Sequence, residues 1–164
     1  MTMTGSHPHT LELPSDTEMT LTREFDAPRE LVFRAYTDPA LIPQWWGPRD
    51  IPTVVDHMDA RTGGRWRYIS TGRDGETFGF SGEYREVSPP ERIVNTFEFE
   101  PLGPGHVAVE TTTFEALPGG RTRMHIHSVF PSREDRDGMI ENGMEGGWSE
   151  SMERLDEVLA ALEA

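Results

Sequence analysis

The chain has 164 residues, 35% of them hydrophobic and 27% charged; its formal charge is −14, and all 15 basic residues are arginine. That length suits one domain with a single sizeable core, and no apolar run approaches the length of a membrane span. The acidity opposes nucleic-acid binding, which is largely electrostatic, and the lack of cysteine and lysine excludes disulfides, thiolate-bound metal and Schiff-base chemistry.

Residues 1–16 mix Thr, Ser, His and Pro without apolar periodicity, so a flexible N-terminal tail is expected, with residues 17–164 as one domain. The opening carries neither a basic nor an apolar signal region, and a cytoplasmic location is expected. "EMTLTREF" places Met19, Leu21, Arg23 and Phe25 on one side of a strand. "DAPRELVFRAYTDP" predicts a short helix capped at Asp26 or Ala27, with Pro28 in its first turn and a stop at Asp38-Pro39. "ALIPQWW" supplies a further single turn before the loop "PQWWGPRD". Its adjacent Trp45 and Trp46 sit in a turn, with one ring expected in the core and the other at the mouth of a groove; Trp46 is expected to be the more buried.

From Pro52 to Phe130 the signals are those of strands and turns. "TVVDHMDA", "RWRYIST", "ETFGFSGEYREV", "RIVNTFEFE", "VAVETTTFEAL" and "RTRMHIHSVF" are separated by "RTGG", "GRDGE", "SPPE", "PLGPGH" and "PGG". Asp74-Gly75 is a strong hairpin signal. A long helix follows, started by Ser132 with Asp135 and carrying Ile140, Met144, Trp148, Met152, Leu155, Leu159 and Leu162 on one stripe. A meander with one apolar face must bury it, and the helix has the matching stripe.

Period-two alternation assigns the faces. Met124, Ile126, Ser128 and Phe130 share one side, and Arg123, His125 and His127 the other. Trp66 and Tyr68 share a side, as do Phe78, Phe80, Gly82 and Tyr84, and Asn95, Phe97 and Phe99. The first half of the helix holds Gly138, Gly143, Gly146 and Gly147, each costing about 0.5–1 kcal/mol relative to alanine inside a helix. Two readings fit: missing side chains that leave room for a ligand between helix and sheet, or a helix bent or packed closely on the sheet.

No residue set stands out as a reaction centre. His125 and His127 share a face, with His57 as a conceivable third ligand, but no carboxylate is placed to complete a metal site, and exposed strand histidines are the better account. His106 in "GPGH" reads as a loop residue. Asp56 alternates with Val54 and Met58 and is the carboxylate of interest, expected to face inward; Arg65 or Arg67 is expected to pair with Asp59 or Asp56, a structural contact rather than a catalytic one.

As a set, "REFDAPRELVFRAYTDPALIPQWWGPR", "VVDHMDARTGGRWRY", "GFSGEYREVSPPERIVNTFEFE", "PGH" and "MIENGMEGGWSESMERLDEVL" resemble the family named for activators of the ninety-kilodalton heat-shock chaperone's ATPase. The likeness is to bacterial members and to the C-terminal part of the eukaryotic activators, within the START-like SRPBCC superfamily. It runs from about Met19 to Leu162. The resemblance implies an α+β helix-grip fold, a curved antiparallel sheet of six to seven strands wrapped around a long C-terminal helix, with two short helices after the first strand.

It also implies an apolar cavity between sheet and helix. Carried onto this chain, the sheet positions are Trp66, Tyr68, Phe80, Tyr84, Phe97, Met124 and Ile126, the helix positions are Met144 and Trp148, and Trp45 and Trp46 lie near the mouth. The expected function is binding of a hydrophobic or aromatic, lipid- or polyketide-like small molecule, in stress response or detoxification, without cofactor or metal and without membrane insertion, by a monomer or homodimer. The alternatives are a module that contacts a chaperone, or a cyclase- or hydrolase-like enzyme using Asp56, Tyr84 or Asn95.

Overall fold

Alternating apolar residues joined by short glycine- and proline-rich turns make each strand fold back on the one before it. A computed structural model describes residues 7–163. In chain order they form β1 (His9–Glu12), β2 (Glu18–Phe25), α1 (Arg29–Thr37), α2 (Ile42–Trp45), β3 (Thr53–Met58), β4 (Arg65–Thr71), β5 (Thr77–Ser88), β6 (Arg92–Phe99), a single 3-10 turn (Glu100–Leu102), β7 (Val107–Leu117), β8 (Arg121–Val129), α3 (Arg133–Glu141) and α4 (Met144–Glu163). The strands make one open antiparallel sheet of eight, ordered β1-β2-β8-β7-β6-β5-β4-β3. This is the α+β helix-grip architecture, with one strand more than expected.

The extra strand is β1, within the stretch expected to be a tail. It pairs with β2 so that Leu11 lies opposite Leu21, and Leu11 packs against the core. Four residues are too few for alternation to be read, which is why the sequence hides it. His7 Nε2 lies 3.0 Å from Asp26 Oδ2. Residues 1–6, the rest of the expected tail, lie outside the described residues.

The strand between tail and helices buries Met19, Leu21 and Phe25 on one face, and Arg23 with them. A buried guanidinium needs a partner, and α4 supplies it: Arg23 donates to Asp156 at 2.9 and 2.7 Å in a fork-to-fork pair. Arg23 also lies over the Phe25 ring, 4.8 Å from its centre. Beside this pair α4 buries Met152, Leu155, Val158 and Leu159, and the sheet and α1 close over them with Val32, Phe33 and Phe114.

Ser132 caps α3 as expected, accepting from the Asp135 backbone N–H at 3.1 Å. The single long helix, however, is two helices. α3 stops at Asn142, and Gly143 takes φ +80°, a left-handed conformation that ends a helix and favours glycine. The break lets α4 start afresh at Met144. No helix among the described residues is long and apolar enough to cross a membrane.

Candidate functional site

The two ends of α4 meet the sheet differently. Its leucine-rich second half packs into the core, whereas its first half, with Met139 of α3, borders an open space against the sheet. The space left is a cavity of about 290 Å³, near the lower end of the range of about 300–1,000 Å³ usual for small-molecule sites.

Its walls are mostly aromatic. Trp66, Tyr68, Phe80, Tyr84, Phe97 and Ile126 line it from the sheet, Met144 and Trp148 from α4, Trp45 from the end of α2 and Trp46 from the position that follows it. Ring edges meet ring faces along this wall: Trp46 lies 4.9 Å from Tyr68, 5.9 Å from Phe80 and 6.2 Å from Trp66. Met124 is the exception among the expected positions. It is fully buried, with Phe114 opposite it on β7 and Arg23 opposite it on β2, in the solid part of the core. The cavity begins one inward position further along β8, at Ile126.

Two glycines shape the space. At Gly82 an added Cβ would stand 2.0 Å from Thr96 O and 2.7 Å from Trp66 Nε1, so the indole of Trp66 lies flush on the sheet only because no side chain is there. That indole N–H is buried without a hydrogen-bond partner among the described residues. Gly147 in α4 is the opposite case: it lines the cavity, and a Cβ there would meet nothing within 4 Å. Of the two readings of the helical glycines, missing side chains that leave room describes Gly147, and a broken helix describes Gly143.

The tryptophan pair is arranged the other way round from expectation. Trp45 is 2% exposed, and its Nε1 donates to the Ala35 carbonyl at 3.0 Å while its ring packs on Tyr36. Trp46 is the half-buried one. Trp45 is still helical and points back at α1, whereas the chain turns extended at Trp46 and carries its ring over the cavity. The loop is held from α4. Arg154 donates to the carbonyls of Trp46, Gly47 and Pro43 at 3.2, 2.7 and 3.3 Å. Ser151 Oγ accepts from Gly47 N–H and Glu150 from Arg49 N–H, both at 2.8 Å. Arg49 pairs with Glu157.

The polar groups on the lining are few. Asn95, Glu110, Thr112, Ser128 and Ser151 face the cavity. Glu110 stands out. Its ladder partner on β6 is Asn95, whose amide donates to Glu110 Oε1 at 3.4 Å. Burial pushes the Glu110 carboxyl up to about 7, against a smaller downward pull from that amide. The phenols nearby are also shifted up. Burial pushes Tyr84 to about 12; it also raises Tyr68, and it raises Tyr36, where the charge of Glu110 adds to the effect. All three therefore stay protonated at neutral pH. Sequence reasoning passed over Glu110, although "VAVETTTF" carries the signal: Ala108, Glu110, Thr112 and Phe114 alternate on the inward face.

Asp56, expected to face inward, lies on the outer side of β3, 3.1 Å from His57 Nδ1 and 3.7 Å from Arg67. Val54 faces outward, 60% exposed, while Val55 packs against the core, so Asp56 follows Val54 to the outer side; the register shift between Val55 and His57 brings only Met58 back to the inner face. His125 is 2.8 Å from Thr22 Oγ1, and His127 is 2.6 Å from Glu18. Among the described residues no three His, Asp or Glu side chains group as a metal's ligands. His106 ties its loop to the first turn of α3 through Asp135, at 2.9 Å.

A curved antiparallel sheet closed by a C-terminal helix around an aromatic cavity defines a helix-grip protein of the START-like class. Residues 26–160 match the family described as Activator of Hsp90 ATPase homolog 1-like proteins, and the chain belongs to that family. Solved structures agree. A Rhodobacter sphaeroides protein is 28% identical with a TM-score of 0.85, over 94% of this chain and 99% of that one. A Mycobacterium smegmatis protein is 31% identical with a TM-score of 0.81 over the same shares. An AHSA1 protein from Silicibacter pomeroyi is 25% identical with a TM-score of 0.72, over 90% of this chain and 99% of that one. No curated protein sequence matches the chain.

Proposed function

We propose that this protein is a non-enzymatic carrier or sensor of an apolar or aromatic small molecule, held between the sheet and the first half of α4. The observation that carries this reading is the cavity itself: about 290 Å³, walled by aromatic rings and methionines, and left open at Gly147. Family membership supports either a ligand-binding module or one like the activators of the chaperone ATPase, and the aromatic-lined space between sheet and helix favours the first. Ligand binding to the folded state alone raises thermal stability. A screen of lipids, flavonoids and polyketides by thermal shift and native mass spectrometry is expected to return stoichiometric hits that also quench tryptophan fluorescence. No hit across a broad library overturns the reading. So does stimulation of a host chaperone's ATPase that is unaffected by blocking the cavity.

A further inference from the structure

A carboxyl group among aromatic rings is costly to ionise unless a cation stands beside it. Among the described residues lining the cavity, Glu110 is the only carboxylate, and no arginine or histidine accompanies it. From β6 it faces the Asn95 amide; Ser128 is its ladder partner on β8; the Tyr36 phenol faces the same space from α1, and Met139 and Met144 close it from the helices. Arg23, on the inward face of β2, is engaged by Asp156. His125 and His127 on β8 lie on the other side of the sheet, against Thr22 and Glu18.

We infer that the cavity takes an apolar or aromatic molecule bearing one basic nitrogen, bound as the ammonium with Glu110 as its counter-charge. The inference rests on the reading of the cavity as a ligand site and adds the ligand's chemical class. An ammonium ligand supplies the cation that the lining lacks, and its N–H to carboxylate contact is a charge-assisted hydrogen bond. The surrounding rings present π faces that also attract a cation. A carboxylate ligand such as a fatty acid would place a second negative charge beside the first. A neutral alcohol would gain a single uncharged hydrogen bond. Burial pushes Glu110 up to about 7, so near neutrality part of the protein holds a proton that the arriving ammonium displaces to solvent.

The test uses three probes of one shape: 4-propylbenzylamine, 4-propylbenzyl alcohol and 4-propylbenzoate, titrated calorimetrically into the full chain and into Glu110→Gln. The amine is expected to bind the wild type at least about tenfold more tightly than the other two, and Glu110→Gln to lose that preference while keeping the alcohol's affinity. Titration of the wild-type protein in buffers of different ionisation enthalpy gives a readout independent of the variant's folding. Proton release on amine binding near neutral pH is expected, because burial raises the Glu110 carboxyl toward that range. Equal or tighter binding of the alcohol or the benzoate overturns the inference and leaves the cavity reading standing. Failure of all three probes overturns the inference, and the broad library screen then decides the cavity reading.

Discussion

Arg154 on α4 holds the backbone of Trp46 in place: its guanidinium donates to the Trp46 carbonyl at 3.2 Å, and to those of Gly47 and Pro43 on either side. With Pro48 at 3.5 Å, four carbonyls converge on one planar cation and fix the loop that carries the Trp46 ring across the cavity. Hydrogen bonds to a charged group contribute about 1.5–3 kcal/mol, so Arg154→Ala is expected to destabilise the fold by about 2 kcal/mol and to free the loop. Chemical denaturation reads the first effect, and a red shift of tryptophan emission the second. Arg154→Lys should recover little, because an ammonium cannot reproduce the fork that reaches several carbonyls at once. A wild-type emission spectrum in Arg154→Ala would show that the loop holds without the clamp.

Glu110 makes stability depend on pH in the direction opposite to most carboxylates. Its folded-state value, pushed up to about 7 by burial, lies above the 4.5 of an exposed glutamate, so between those values the folded protein holds a proton that the unfolded chain has released. Unfolding free energy contributed by this group therefore falls as pH rises through that window, by about 3 kcal/mol in total, and is level above it. Glu18, Glu24 and Glu100 have carboxyls held low by hydrogen bonds to His127, Arg121 and Arg67, and they act the other way at more acid pH. The difference between Glu110→Gln and wild type isolates the effect. The variant is expected to be the more stable at pH 8, with the advantage shrinking toward pH 4.5. A constant difference across that range would show that Glu110 titrates normally.

The Arg23–Asp156 pair fastens α4 to β2 at a place where both side chains are largely removed from water. Truncating one partner of a buried ion pair costs about 3–5 kcal/mol, because the other charge loses its compensation inside the fold. Asp156→Ala is expected to show a loss of that order in urea denaturation, whereas Arg49→Ala at the exposed pair with Glu157 should be nearly silent. Equal effects would mean that burial does not set the strength of these pairs.

Strand boundaries and inward faces were legible because alternation and turn residues are local signals: β4 runs over Arg65–Thr71 and β7 over Val107–Leu117, as their apolar periods predict. What failed depended on information that is not local. Asp56 was misplaced because Val54, an apolar residue, faces outward and Val55 inward, and a register shift on β3 then returns Met58 to the inner face without Asp56. Met124 alternates correctly inward, but only three-dimensional packing separates a core position from a cavity wall two residues further on. The order of Trp45 and Trp46 turned on where a four-residue helix ends, a matter of one residue. Glu110 lay in plain alternation with Ala108 and Phe114, and an acidic chain made one more carboxylate easy to pass over.

The space behind the tryptophans can be closed from the helix side. Gly147 is helical, lines the cavity and has open space where its Cβ would be, and so does its neighbour Gly146, which is exposed and does not line it. Replacing either glycine with leucine should strengthen α4 by about 0.8–1 kcal/mol through helix propensity alone. The two substitutions differ only in where the new side chain goes. Gly147→Leu projects into the cavity and is expected to weaken binding of the neutral fluorescent probe N-phenyl-1-naphthylamine by at least about tenfold, with a melting temperature no lower than wild type. Gly146→Leu is expected to match that melting temperature and leave the probe's affinity unchanged. Loss of binding together with loss of stability in Gly147→Leu would instead mean that the added side chain distorts the helix. Unchanged binding in both would place the probe somewhere other than between α4 and the sheet.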